Sequence, residues 1–186
     1  IMTNLGNPYN DSITAGLEKA ADELGFSLTV VAPAAAGAAD QIPFIEDQIT
    51  KGVDAILINA NDPAAVQPAL EQAIAAGIQV FAINSDQLAD IRTTAFTPVD
   101  FGIVPADQLN LLSDLVGGEG EFAILSATTT ATFQKTVVDA QLGLLDSDPA
   151  YAGLDMVKVA YGDDDPQKSA TETQALVTAY PNLKAI

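Results

Sequence analysis

The sequence predicts an α/β fold with parallel sheets, arranged as two lobes of repeated strand–helix units. Two apolar runs, residues 55–58 and 80–83, have the unbroken hydrophobicity of strands covered on both faces in a parallel sheet. Between them, apolar side chains recur at helical spacing from Val66 to Ile74. The other elements of the chain are organised around this strand–helix–strand unit.

Three residues mark the limits of the central helix. Asp62 can accept a hydrogen bond from an N–H group at the helix start, and Pro63 suits the first turn. Gly77 suits the left-handed residue that follows a helix. Gly25 and Gly52 end two earlier predicted helices at similar intervals, each ahead of a predicted strand. This regular spacing predicts successive right-handed βαβ crossovers.

The repeat changes after Asp86, where a short β-prone segment at 91–98 replaces the next strand–helix unit. We interpret this segment as the passage from one lobe to the other. The predicted organisation is a first lobe at residues 1–95, a hinge crossing at 96–106 and a partial second lobe at 107–186.

The remaining elements follow the same pattern in both lobes. In the first lobe, a helix along residues 13–24 precedes a strand at 28–31, and a helix along 42–49 precedes the central unit. The second lobe is predicted to contain a helix with Leu109, Leu112, Leu115 and Val116 inward, strands at 122–125 and 156–160, and helices at 137–145 and 170–179.

The composition argues against several classes of function. The chain has 186 residues, of which 48% are hydrophobic, so it can bury a core. Its 25 acidic and 7 basic residues give a formal net charge of -18, which repels nucleic acid, and no nucleic-acid partner is expected. The sequence has no Cys and no His, which excludes thiolate metal sites and removes the commonest metal ligand and general base. We expect no metal and no cofactor. No apolar run reaches membrane-spanning length.

The two ends of the sequence read as interrupted strands. No initiator Met precedes Ile1, and residues 1–3 look like the end of a strand. Residues 183–186 look like the start of another strand. We therefore expect the sequence to be a fragment of a longer protein, cut at both ends.

Polar side chains follow both strands of the central unit, at residues 59–62 and at residues 84–86. Ligands of open α/β sheets bind beyond the carboxyl ends of the strands, so the predicted site lies there. Amide and carboxylate groups pair with the hydroxyls of a sugar, and aromatic rings cover its C–H faces. The residue types at these strand ends therefore suit a sugar.

Five segments, taken in their order and spacing, resemble the sugar-binding proteins of bacterial ABC transporters, in particular the rhamnose-binding and autoinducer-2-binding branch. The resemblance covers essentially all 186 residues, and the chains of that family continue past Ile186. The segments are residues 5–9 (LGNPY), 84–86 (NSD), 118–120 (GEG), 161–164 (YGDD) and 180–183 (YPNL).

The resemblance implies a type I periplasmic binding protein, with two Rossmann-like lobes, parallel sheets and a three-stranded hinge, the second lobe being incomplete here. It implies a monosaccharide or polyol ligand held between the lobes, docking onto an ABC transporter permease, and a monomer at full length. It also implies a periplasmic location, or an extracellular one with a membrane anchor.

The resemblance carries ligand contacts onto residues of both lobes. Asn7 and Tyr9 match the loop after the first strand, where family members contact the sugar through an amide and an aromatic ring. Asn84 occupies the position where family members usually have a carboxylate that hydrogen-bonds to sugar hydroxyls, and Asp86 lies two residues further on. Gln134 matches a polar contact of the second lobe.

Two positions depart from the family pattern. Thr3 replaces a ligand-touching Lys, and Phe133 replaces an Asp or Asn. Both changes weaken the inference of the same ligand as in the relatives, and together they predict a less charged and more apolar pocket. The loss of the Lys predicts a neutral ligand. The predicted ligand-binding residues are Thr3, Asn7, Tyr9, Asn84, Asp86, Phe133 and Gln134.

Structural roles stay open for several of these residues. Asn7 before Pro8 is a good turn former, while Tyr9 can pack on the first helix and Phe133 can belong to the core. The aspartates at 163–165 lack the pattern of a calcium loop, and we interpret them as a solvated helix start.

An enzyme is not expected, because the sequence has no GxGxxG after a strand, no GxxxxGK and no GxSxG. The alternative function is the effector-sensing domain of a sugar-responsive transcriptional repressor, which shares this fold. That alternative requires a helix-turn-helix upstream of Ile1.

Overall fold

A computed structural model describes residues 1–84, 86, 89–100 and 102–186. They form two compact units, Ile1–Thr97 (unit 1) and Pro98–Ile186 (unit 2). The predicted strand-end residue Ser85 and Phe101 of the predicted crossing lie outside the described residues. The hinge at 96–106 and the two lobe boundaries stay predictions.

Unit 1 contains the predicted strand–helix–strand core. Its strands pair in parallel in the order β1-β2-β3, and the core includes the fully buried Ile58, Val66 and Leu70. The elements are α1 (Pro8–Leu24), α2 (Ile42–Lys51), β1 (Ala55–Ile58), α3 (Pro63–Ala75), β2 (Gln79–Ile83), a 3-10 turn (Ala89–Ile91) and β3 (Thr94–Phe96).

The predicted helix ends of unit 1 are confirmed. The Asp62 side chain accepts a hydrogen bond from the Ala65 N–H at 3.1 Å, and Pro63 opens α3. Gly25 and Gly52 end α1 and α2 in the left-handed conformation that favours glycine. These ends set the direction in which each loop leaves its helix.

The strand predicted at residues 28–31 is wrong, because residues 26–33 form no regular strand. The segment instead contacts the first residues of the chain through isolated bonds, from Met2 N to Val31 O and from Leu5 N to Pro33 O, both 2.9 Å. Pro33 has no N–H group to donate back, which prevents a continuous ladder at this point. Residues 1–3 likewise form no regular strand, although Asn59 N donates to Ile1 O at 2.9 Å.

Unit 2 is a second parallel α/β layer. Strand β4 pairs with β5 on one side, and Ala185 bridges to Phe122 in parallel, as expected from the strand-like chain end. The elements are α4 (Val104–Val116), β4 (Gly120–Ser126), α5 (Thr132–Ser147), a 3-10 turn (Pro149–Tyr151), β5 (Leu154–Tyr161) and α6 (Pro166–Ala179). The predicted α/β class with parallel sheets is confirmed.

The prediction that Leu115 of α4 points inward is wrong. Leu109, Leu112 and Val116 form one stripe of α4 that packs against Phe122 and its neighbours. Leu115 lies outside that stripe, and 75% of its surface is exposed. An apolar residue next to an apolar stripe was thus assigned to the wrong side of the helix.

Candidate ligand-binding site

In unit 1, the structure brings together three of the predicted ligand contacts. The Tyr9 hydroxyl donates to Asn84 Oδ1 at 2.7 Å, and Asn84 Nδ2 lies 3.5 Å from Asn59 Oδ1. Asn7 caps α1, because its Oδ1 accepts a hydrogen bond from Tyr9 N at 3.0 Å. Tyr9 is 47% exposed, so its ring and hydroxyl are accessible at the carboxyl end of the sheet.

Asn84 is held in an uncommon backbone conformation. Its φ of 62° lies in the left-handed region, which Asn tolerates better than most residues. Its N–H donates to Phe96 O at 2.9 Å, which ties the end of β2 to the end of β3. The amide is therefore positioned by the backbone as well as by Tyr9.

Thr3 belongs to a second polar group, below the start of α1. Its hydroxyl donates to Asn4 Oδ1 at 2.9 Å and accepts from Asn10 Nδ2 at 2.7 Å. Asn10 is buried, and within the described part of the chain its Oδ1 has no hydrogen-bond partner. Thr3 thus helps to order the loop and already uses its hydroxyl proton within the protein.

Sequence reasoning missed Gln41, which connects the loops of unit 1. It is fully buried, and its Nε2 donates to Met2 O at 2.9 Å and to Asn59 O at 2.7 Å. Its Oε1 accepts from Asn61 N at 2.8 Å. No local pattern distinguishes this glutamine, since its partners lie far away along the chain.

Asp86 is engaged by a neighbouring cation. Arg92 Nε lies 2.5 Å from Asp86 Oδ1, and Arg92 Nη2 donates to Asp86 Oδ2 at 3.2 Å. Such a two-pronged pair fixes the direction of the carboxylate and strengthens each bond. A direct ligand contact by Asp86 therefore stays a prediction, and its pairing with Arg92 is what the structure adds.

In unit 2, a cleft of about 550 Å³ lies beside β4 and α5. The predicted residues Phe133 and Gln134 both line it. The polar residues around it include two glutamines in contact with each other, Gln141 Nε2 donating to Gln108 Oε1 at 2.8 Å. The other polar lining residues are Ser126, Asp164 and Ser169.

Asp164 was missed by the interpretation of residues 163–165 as a solvated helix start. That interpretation holds for Asp165, whose side chain caps α6 by accepting from Lys168 N at 2.6 Å. Asp164 is instead half-buried and lines the cleft. Burial, and then the charge of Asp163, raise the pKa of the Asp164 carboxyl above its ordinary value.

Two further properties hold for residues 1–84, 86, 89–100 and 102–186. None of their helices is both long and apolar enough to cross a membrane. No group of three or more acidic side chains is arranged in that part of the chain to hold a metal ion.

Two parallel α/β units with polar side chains beyond their strands are the architecture expected of a periplasmic binding protein. The chain belongs to the periplasmic binding protein domain family, whose model matches residues 1–186. The family recognised from the sequence motifs, with the type I fold, is therefore confirmed.

Two relatives illustrate this membership, and a third protein shares the fold. The ribose import binding protein RbsB of Bacillus subtilis is 28% identical over 187 residues, covering 100% of this chain and 58% of the relative. A solute-binding protein from Clostridium phytofermentas, solved with bound L-rhamnose, is 34% identical with a TM-score of 0.94 over 99% of this chain. LsrB from Clostridium saccharobutylicum, in complex with AI-2, is 20% identical over 98% of this chain with a TM-score of 0.88, a likeness of fold alone. The chain spans 58% of the length of each of these solved chains.

Proposed function

We propose that this chain forms part of a solute-binding protein that captures a neutral sugar or polyol for import by an ABC transporter. The observation that supports this most is the Tyr9–Asn84–Asn59 group beyond β1 and β2. Such amides donate and accept at once, as sugar hydroxyls do, and the exposed Tyr9 ring offers a face for C–H groups. Relatives that bind ribose and L-rhamnose support the same ligand class.

The absence of a cation among the predicted contacts favours a neutral ligand. Thr3 occupies the position of a family Lys, and Phe133 that of an acidic or amide side chain. In this proposal Asn7, Tyr9 and Asn84 act from unit 1, and Phe133 and Gln134 act from unit 2. Asp86 acts with its partner Arg92.

The proposed partners and location follow from the family. The complete gene product works as a monomer with an ABC transporter permease, in the periplasm or anchored outside the membrane. The relatives named as ribose import and ABC transporter solute-binding proteins support this. A secretory or lipoprotein signal in the gene upstream of Ile1 would agree with it, and a helix-turn-helix there would contradict it.

The first test is Asn84→Ala in the complete gene product, with Asn182→Ala as a matched control on an exposed residue. Binding of L-rhamnose, D-ribose and D-arabinose is measured by calorimetry. Removing the amide leaves its hydrogen-bond partners unpaired, which costs about 1–3 kcal/mol. We expect an affinity roughly 5- to 150-fold weaker for Asn84→Ala and unchanged for Asn182→Ala.

Two results would contradict the proposal at different levels. A wild-type protein that binds none of a broad set of neutral sugars and polyols would remove the function. A wild-type protein that binds one of them, with equal affinity in Asn84→Ala, would remove only Asn84 from the site.

A further inference from the structure

We infer that Asp164 is a ligand-binding, specificity-determining residue of the unit 2 cleft, whose carboxylate accepts hydrogen bonds from adjacent hydroxyls of a neutral sugar or polyol. This inference rests on the proposed function. It adds a requirement that the ligand carry a pair of hydroxyls on the side that faces unit 2, and it disfavours anionic sugars.

The loop that carries Asp164 is held by backbone hydrogen bonds to residues 126 and 127. Gly162 N donates to Ser126 O and Asp163 N donates to Ala127 O, both at 2.8 Å. Gly162 also packs closely on α6, since an added Cβ would lie 2.1 Å from Ser169 Oγ. The loop is therefore fixed against the end of β4, beside Ser126 and Ala127, which also line the cleft.

The three consecutive aspartates at residues 163–165 make different contacts. Asp163 forms an ion pair with Lys168, and Asp165 caps α6. Asp164 is the middle residue, with a left-handed φ of 55°, and it lines the cleft. Among residues 1–84, 86, 89–100 and 102–186, none donates a hydrogen bond to its carboxylate or pairs with it as a cation.

The charge of the Asp164 carboxylate also favours a neutral ligand. An ionised carboxylate that is half-buried beside Asp163 is costly unless donors satisfy it, which is the physical meaning of its raised pKa. The other polar side chains that line the cleft are uncharged amides and hydroxyls, at Gln108, Ser126, Gln134, Gln141 and Ser169. A neutral ligand with hydroxyl donors supplies what the carboxylate lacks, and an anionic ligand would be repelled.

The same geometry argues against a cation at this position. The two neighbouring carboxylates are already used, one by Lys168 Nζ and one by the Lys168 N–H. A calcium ion requires six to eight oxygen ligands, and one free carboxylate does not provide them. A hydroxyl pair requires only the two oxygens of a single carboxylate.

The test compares Asp164→Ala and Asp164→Asn with Asp155→Asn, a change at an exposed aspartate of β5. The complete gene product is titrated by calorimetry with whichever of L-rhamnose, D-ribose or D-arabinose the wild type binds, and with its monodeoxy analogues. We expect affinity for the parent sugar to fall about 10- to 100-fold in Asp164→Ala and less in Asp164→Asn. Asp155→Asn should bind as the wild type does.

The deoxy analogues make the assignment specific. For the analogue that lacks a hydroxyl facing Asp164, the wild type should bind weakly, and the loss caused by Asp164→Ala should largely disappear. Asn tolerates the left-handed backbone, so Asp164→Asn should fold even if Asp164→Ala does not. Its melting temperature checks that it is folded.

Three outcomes would overturn the inference. One is an unchanged affinity in both Asp164 variants while Asn84→Ala weakens binding, which leaves the proposed function intact. Another is a calcium-induced rise in melting temperature that the Asp164 variants abolish. The third is a wild-type protein that binds no neutral sugar, in which case the proposed function fails as well.

Discussion

Unit 1 and unit 2 both carry polar side chains beyond a parallel sheet, but they satisfy those side chains differently. In unit 1, Gln41 bonds to three backbone groups, and Asn84 bonds to Tyr9. In unit 2, Gln134 and Asp164 line a cleft of about 550 Å³, and no described residue hydrogen-bonds to either side chain.

This difference separates two ways of building a binding surface. A bonded network keeps its geometry before a ligand arrives, so binding requires little reordering. Unpaired groups in a cleft lower the stability of the free protein and gain most when a ligand supplies their partners. We therefore expect substitution of Gln41, whose partners all lie within unit 1, to act mainly on stability, and substitutions in the unit 2 cleft to act mainly on ligand affinity.

The largest effect on stability is expected for Gln41→Ala. The change removes a fully buried side chain and leaves Met2 O, Asn59 O and Asn61 N without their partner. Stranded buried groups should lower the free energy of unfolding by about 3 kcal/mol, measured by denaturant titration. Gln67→Ala, on the exposed face of α3, is the matched control and should change it by less than about 0.5 kcal/mol. Equal effects of the two changes would break the comparison.

An intermediate effect of opposite sign is expected for Asp164→Asn without ligand. The folded-state pKa of Asp164 is raised above its ordinary 3.8, so the folded state binds a proton more readily than the unfolded state. The stabilisation is present below the unfolded pKa and is lost as the pH rises through the folded pKa. At neutral pH the variant should therefore be more stable than the wild type, and solvent screening of the half-exposed carboxylate keeps this gain small.

The measurement is urea unfolding of wild type and Asp164→Asn from pH 3 to pH 7, with Asp155→Asn alongside. The stability difference should grow with pH for Asp164→Asn alone. A difference in unfolding free energy that stays constant across this pH range would show that ionisation of Asp164 does not destabilise the folded protein.

The smallest effect is expected for Gly16→Ala in α1 and Gly143→Ala in α5, which test the helices rather than the sites. Neither glycine has another atom within 4 Å of an added Cβ, so alanine should stabilise each helix by about 0.5–1 kcal/mol. Gly162→Ala is the contrasting change, because its Cβ would collide with Ser169. It should lower the melting temperature, whereas the two helix variants should raise it.

Local patterns predicted the framework of both units. The unbroken apolar runs gave β1 and β2, and Asp62, Pro63 and the left-handed glycines gave the helix ends, because these features act within a few residues. Leu115 and the strand at residues 28–31 were assigned wrongly, since burial and pairing depend on what the rest of the chain places beside them.

Asn7, Tyr9 and Asn84 were named from the family resemblance, and Asn84 also from its place at the end of a predicted strand. The structure brings these three residues together, and their contact with a ligand stays a prediction. Gln41 and Asp164 were missed, because their roles depend on distant backbone groups and on a two-residue left-handed turn. The pairing of Asp86 with Arg92 was also not predicted.

The hydrogen bond between Tyr9 and Asn84 has an optical consequence. The chain has no Trp and four Tyr, so its near-ultraviolet absorption and emission come from tyrosine without an indole to accept the excitation energy. In the structure the Tyr9 phenol donates a hydrogen bond to Asn84 Oδ1. A sugar hydroxyl that replaced Asn84 Oδ1 as the acceptor would change the surroundings of the phenol. Tyr9 is thus a chromophore of this chain at its candidate site, and we expect its emission to change on sugar binding if Tyr9 contacts the ligand as proposed.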